Sequence, residues 1–231
     1  MALSDLFARR RKDDDADDTG AGALDSPVQP TRALARFLAG LGTRPQPVLI
    51  DLGPAVGSNF TFFGEELGCK IFVEDLSKDI DRHLQQSKIE DLPAFFDTRF
   101  PQEAGTVDGI LCWDIFDYLE RPAAERLARQ LTRVLRPEGV LLAFFGTADP
   151  RSETRSPTYT RHVVVDRANL QCRPYKAARG KQRPLLNRDI QRLFEPLRIT
   201  ENYLLKTNMR EVLFRKPADP AAPTEAPPAD R

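Results

Sequence analysis

Four short apolar runs in this chain each end in an acid. Val48-Leu49-Ile50 leads to Asp51, Ile71-Phe72-Val73 to Glu74-Asp75, Ala94-Phe95-Phe96 to Asp97, and Gly109-Ile110-Leu111-Cys112-Trp113 to Asp114. Continuous apolar runs of this length are the pattern of strands buried on both faces. Their carboxylates would line one edge of a parallel sheet, the edge at which open α/β sheets bind ligands. Asp51 is followed by Leu52-Gly53-Pro54-Ala55-Val56-Gly57-Ser58-Asn59, so that Gly53, Ala55 and Gly57 set a small residue at every second position before a helix. Small residues let the backbone approach a ligand closely, and a helix start offers unpaired N–H groups. A tight structural turn, which also favours glycine, is the alternative. Glu74 stands 23 positions after Asp51, where a carboxylate can accept both hydroxyls of a ribose. For the acids as a set, the alternative is ordinary helix caps and turn aspartates.

The elements that must position these residues follow from spacing. Thr31 can cap a helix with Leu34, Phe37, Leu38 and Leu41 on one face. Phe60, Phe63 and Leu67 mark the helix after the glycine turn, stopped by Gly68. Ser77 can cap a helix holding Ile80 and Leu84, and Leu127, Leu131, Val134 and Leu135 mark another before the strand Val140 to Phe145. Thr158 to Val165 and Leu170 to Tyr175 suggest two strands around a turn, and Asn187 can cap a short helix. Leu197 to Leu205 and Met209 to Phe214, joined by Lys206-Thr207-Asn208, suggest an antiparallel hairpin. The expected fold is α/β: a doubly wound, mostly parallel seven-stranded sheet with an antiparallel C-terminal hairpin and helices on both faces. Residues 1–30 read as a disordered charged leader, 31–216 as the folded domain with 158–186 an inserted basic hairpin and loop, and 217–231 as a disordered Pro- and Ala-rich tail.

Composition narrows the function. The 231 residues suit one domain with tails, and 34 basic against 34 acidic residues exclude a uniformly basic nucleic-acid coat. Cys69, Cys112 and Cys172 lie far apart, so neither a metal site nor a disulfide framework is indicated. With no secretory hydrophobic region and no apolar stretch near membrane-spanning length, a cytoplasmic protein without membrane contact is expected. The two histidines, His83 and His162, are expected on an exposed helix face and on the outward side of a strand.

With these motifs in place, residues 31–216 resemble the class I S-adenosylmethionine-dependent methyltransferases. The family's first motif, an apolar strand, an acid and Gly-x-Gly-x-Gly, stands here as Asp51-Leu52-Gly53-Pro54-Ala55-Val56-Gly57, with Ala55 at the middle glycine. Its second acid matches Glu74 or Asp75 and its adenine-contacting acid matches Asp97. Leu135-Arg136-Pro137-Glu138-Gly139 resembles the family's Leu-x-Pro-Gly-Gly turn, with Glu138 at the first of those glycines. The resemblance implies S-adenosylmethionine as cofactor, held by Asp51, Gly53, Ala55, Gly57, Asn59, Glu74, Asp75, Asp97 and Trp113. It implies an in-line displacement at a sulfonium methyl, for which the protein mainly positions the acceptor. Asp114, Asp117 and Tyr118 are the implied catalytic candidates: Asp114 to orient cofactor or acceptor, and Asp117 or Tyr118 to take a proton. Tyr118 stands where many members carry histidine, and a half-buried packing role is its alternative.

Between Arg151 and Lys216 there are 16 basic and 6 acidic residues. Arg173, Lys176, Arg179, Lys181 and Arg183 cluster there with Tyr175, so segment 173–183 is expected either to contact an anionic acceptor or to be a solvated loop. Two other functions compete with methyl transfer. One is a non-catalytic cofactor-binding or scaffold protein of the same fold. The other is a nicotinamide-dependent oxidoreductase, disfavoured by the absence of Gly-x-Gly-x-x-Gly.

Overall fold

A computed structural model describes residues 26–147, 157–182 and 184–218. The readings for most of the leader and for the tail beyond residue 218, like Arg183, lie outside the described residues.

Among the described residues nine strands form two sheets. The main one has six strands, β2 (Val48–Asp51), β3 (Lys70–Val73), β4 (Val107–Trp113), β5 (Leu135–Gly146), β8 (Arg198–Leu204) and β9 (Met209–Arg215), in the order β3-β2-β4-β5-β9-β8. The first four run parallel, and β9 lies antiparallel between β5 and β8, as the closing hairpin requires. The second sheet is antiparallel: β1 (Val28–Pro30), β7 (Asn169–Lys176) and β6 (Thr158–Asp166). Val28–Pro30 therefore belongs to the folded part rather than to a leader.

One expected strand is a helix. Residues 94–97 lie in a helix spanning Leu92–Thr98, which leaves the main sheet with six strands rather than seven. Pro93 in the first helical turn is suited to a helix start, and Leu92 and Phe96, four apart, are both buried. The helices in chain order are α1 (Ala33–Leu41), α2 (Gly57–Phe60, continuing as a wider π turn over Thr61–Glu66), α3 (Leu76–Gln85), α4 (Leu92–Thr98), α5 (Arg121–Val134) and α6 (Asn187–Leu193).

Period-two alternation along β4 divides the core. Ile110 and Cys112 pack with α3, α4, α5 and α6, whereas Leu111 and Trp113 pack with α1 and the α2 region. Gly109 admits α1 closely: a Cβ there would lie 2.7 Å from Leu41 Cδ1. Some caps differ from expectation. The α1 start is held by the buried Glu211 carboxylate, which accepts from Arg32 N and Ala33 N at 2.9 Å, with Thr31 Oγ1 adding a 3.3 Å bond from Leu34 N. Asp75, not Ser77, caps α3. Asn187 is the first residue of α6 and makes no capping bond.

The β6–β7 hairpin lies across the carboxyl edge of the main sheet. Its Tyr159 joins one core and its Val164 and Leu170 join the other. It therefore covers the edge at which the sequence places its acids.

Candidate functional site

Asp51 ends β2 and is buried. Its Oδ1 accepts from Gly53 N at 2.9 Å and from Trp113 Nε1 at 2.6 Å. Burial pushes its carboxyl up to about 6, against the lowering effect of these two bonds. Trp113 reaches Asp51 because its backbone is left-handed, φ 48°, a rare conformation for a large residue and one that marks functional sites. Gly53 makes room for that ring: a Cβ would lie 2.9 Å from Trp113 Cδ1. At Gly57 an added Cβ would meet open space, and Ala55 is half-buried on the same turn.

Asn59, the next buried residue, bridges to the hairpin. Its Nδ2 donates to the His162 carbonyl at 2.9 Å and its Oδ1 accepts from Val164 N at 2.8 Å. Glu74 lies just past β3, where it is bound by Arg99 Nη1, and the same guanidinium donates through Nε to Asp79 at 2.8 Å. Asp75 accepts from Ser77 Oγ, and Ser77 in turn accepts from Tyr175 OH at 2.9 Å. Asp97 does not join the group. With no strand beneath it, it sits on α4 and pairs with Arg126 of α5 at 3.3 Å.

Past β4, Asp114 and Asp117 are both buried and share one cation. Lys181 Nζ donates to Asp114 Oδ2 and to Asp117 Oδ2, both at 3.0 Å. Burial alone would raise the Asp114 carboxyl, but Lys181 and His162 outweigh it and hold it below the usual range. For Asp117 burial wins: with the neighbouring Asp114 charge it overcomes Lys181 and lifts the carboxyl to about 6. Burial would lower the Lys181 ammonium, but the two acids reverse that and raise it. Tyr118 is 1% exposed and its OH donates to the Thr158 carbonyl at 2.7 Å. Burial, with Asp114 and Asp117 close by, drives its phenol upward, so Tyr118 is a packed donor and not a ready base.

His162 is the residue that sequence reasoning misplaced. It is 4% exposed, stacked on Trp113 at 4.9 Å and 3°, with Nδ1 4.0 Å from Asp114 Oδ1. Burial lowers its pKa, against the raising effect of Asp114. The adjacent pair Val163-Val164, both buried, was the available sign of a strand covered on both faces at this point. His83 is buried too, with Nδ1 2.7 Å from the Asp79 carbonyl and its ring against Phe95.

Among the described residues of the basic cluster, two charges are paired and Lys176 is exposed. Lys181 turns inward, Arg179 pairs with Glu120 at 2.5 Å, and Arg173 donates to Gln171. Among the described residues no His, Cys, Asp and Glu group could hold a metal ion, and no helix is long and apolar enough to cross a membrane. The remaining space between the glycine turn and the hairpin is lined by Gly53, Pro54, Asp114, Tyr118, Tyr159 and Tyr175, among others. It admits a water centre over only about 20 Å³, whereas ligand clefts enclose roughly 300–1,000 Å³.

Comparison with known proteins supplies the wider context. Residues 50–143 match the family model described as "Methyltransferase domain". A sarcosine/dimethylglycine N-methyltransferase from Halorhodospira halochloris is 27% identical over 134 residues, 55% of this chain and 46% of that protein, so the match spans about half of the relative's length. An S-adenosylmethionine-dependent methyltransferase structure from Clostridium acetobutylicum superposes with a TM-score of 0.52 at 11% identity, covering 94% of this chain and all of the other. Residues 50–143, which carry the acid-and-glycine turn after β2, are thus similar to a methyltransferase domain, and the whole chain shares its fold with an S-adenosylmethionine-dependent methyltransferase.

Proposed function

We propose that this protein transfers a methyl group from S-adenosylmethionine to an acceptor bound at the carboxyl edge of the main sheet. The observation that carries the reading is the Asp51 turn within the matched domain: a buried carboxylate at the end of β2, followed by Gly53 and the start of α2.

The donor set fits the cofactor in kind. Glu74 at the end of β3 suits the ribose hydroxyls, the turn from Gly53 through Ala55 to Gly57 suits the close approach of the cofactor's backbone, and Trp113 offers an aromatic face. Asp75 stands beside them, whereas Asn59, bonded to β6, is assigned to the hairpin. Asp97, paired on α4, is not assigned to the cofactor. When bound, the cofactor supplies the electrophilic methyl group, and the chain's own work is to orient the acceptor and hold its proton. Asp114 and Asp117 suit that work; Tyr118, whose hydroxyl is engaged by Thr158, orients through its ring.

In this conformation Asp51 and Glu74 have internal partners, Trp113 and Arg99, and Asn59 holds β6 over the edge. Cofactor entry therefore requires the β6–β7 hairpin to lift. The water-sized gap also favours a second reading, a scaffold protein of the same fold that does not turn over.

Substitution separates these readings. Asp51→Ala abolishes S-adenosylhomocysteine binding in titration calorimetry, and Glu74→Ala weakens it by about 1.5–3 kcal/mol. Unchanged affinity in both would move the site elsewhere, and a wild-type protein that binds neither cofactor form would leave the scaffold.

A further inference from the structure

The pair of buried acids at the end of β4 is built around a positive charge. Lys181 comes from the loop after β7, and its side chain passes inward to reach Asp114 and Asp117 at equal distances of 3.0 Å. Its Nζ also lies 5.4 Å from the centre of the Tyr118 ring. Tyr159 stands 4.7 Å from Tyr118, and Tyr175 5.6 Å from Tyr159. All three hydroxyls are engaged elsewhere, on the Thr158 carbonyl, on Asp81 and on Ser77. Rings and carboxylates, rather than hydroxyls, are thus what the enclosure has to offer. Aromatic faces with a carboxylate counter-charge are the chemistry that holds an alkylammonium out of water.

A second observation points the same way. His162 Nδ1 is buried, lacks a hydrogen-bond partner among the described residues, and lies 4.0 Å from Asp114 Oδ1. The tethered lysine satisfies the acids but leaves this nitrogen unmet. An untethered ammonium, free to turn its third N–H toward the ring, could reach both. An anionic ligand would instead face two carboxylates at close range.

We propose that Asp114 and Asp117, walled by Tyr118, Tyr159 and Tyr175, form an alkylammonium site whose present occupant is Lys181, and that the methyl acceptor is an alkylamine that takes its place. The acceptor half rests on the methyl-transfer reading above; the ammonium site does not. Transfer forms one N–C bond on the acceptor as the cofactor's S–C bond breaks and its electron pair stays on sulfur. The acceptor's ammonium proton passes beforehand to Asp117, the carboxylate already 3.0 Å from the nitrogen's position.

The probe is butylammonium chloride against potassium chloride at equal ionic strength. Near-saturating butylammonium raises the melting temperature of Lys181→Ala by about 3 °C or more and leaves Lys181→Ala/Asp114→Asn/Asp117→Asn unmoved. The same titration of wild-type protein, followed by the fluorescence of Trp113, the chain's single tryptophan, saturates at higher concentration because the tethered lysine competes. This second readout serves where the alanine variant does not fold. No shift in the variant, no saturable change in the wild type, or a response to acetate or phosphate instead of butylammonium overturns the site. Methyl from labelled S-adenosylmethionine, offered to butylamine, butyrate and butyl phosphate, is expected on the amine; label on butyrate or butyl phosphate overturns the acceptor half. Butylammonium binding to Lys181→Ala without any cofactor binding would reject the methyl-transfer reading and leave the ammonium site standing.

Discussion

Asn59→Ala tests whether Asn59 holds the hairpin or the cofactor. In the structure Asn59 makes two buried bonds to β6, at 2.9 Å to the His162 carbonyl and at 2.8 Å from Val164 N. Removing the amide leaves one buried acceptor and one buried donor unpaired. At about 1–3 kcal/mol for each unmet group, less whatever entering water recovers, the substitution costs about 2–5 kcal/mol of stability. That cost falls on the closed arrangement in which the hairpin covers the sheet edge. Cofactor binding has to open that arrangement, so its apparent affinity carries the opening penalty. Weakening closure by about 1.4 kcal/mol raises apparent affinity about tenfold. The expected outcome is a variant that unfolds at lower urea concentration yet binds S-adenosylhomocysteine at least tenfold more tightly in calorimetry. Unchanged stability together with weaker binding would refute the reasoning and return Asn59 to the cofactor contact that the sequence resemblance implied.

Three further substitutions probe the same region. Gly53→Ala places a Cβ 2.9 Å from Trp113 Cδ1, so the ring must shift off Asp51; tryptophan emission should move to longer wavelength and stability fall by about 1–3 kcal/mol, and unchanged emission would show that the turn yields instead. Asp51 is raised to about 6 in the fold, above its unfolded value, so the folded state binds the extra proton and Asp51's contribution to stability declines as pH rises from about 4 to about 6. That contribution is on the order of 2–3 kcal/mol, and Asp51→Asn should flatten the corresponding part of a stability-versus-pH curve; an unaltered curve would mean the carboxyl is not raised. Glu138 holds a left-handed φ of 64° where the family's turn carries glycine, so Glu138→Gly should relieve about 1 kcal/mol of backbone strain, offset in part by loss of its half-exposed pair with Arg215; a clear fall in melting temperature would contradict this.

Much of the scaffold was legible because it is written in local patterns. The four apolar runs of β2, β3, β4 and β5, the glycine turn after Asp51 and the closing hairpin all stand where spacing places them. The run Ala94-Phe95-Phe96 was not decidable by periodicity, since three apolar residues fit a strand or a helical turn equally well; Pro93 was the available sign of the helix. The site was legible in its acids but not in their partners. Trp113 meets Asp51 only because β4 ends in a left-handed residue, and Arg99 meets Glu74 only because residues 92–98 are helical. Lys181 was visible as one charge of a basic cluster, yet its commitment to Asp114 and Asp117 depends on a hairpin folding back across the sheet edge. His162 was lost for the same reason: a strand covered on both faces hides which side chains are buried.

The most direct test of the central claim is a calorimetric titration of the purified protein with S-adenosylmethionine and S-adenosylhomocysteine, with NADH as control and Trp113 emission followed in parallel. Saturable binding of both sulfur compounds with a change in that emission, and no binding of NADH, is the predicted result. A folded protein that binds neither sulfur compound, or that binds NADH in their place, would contradict the account.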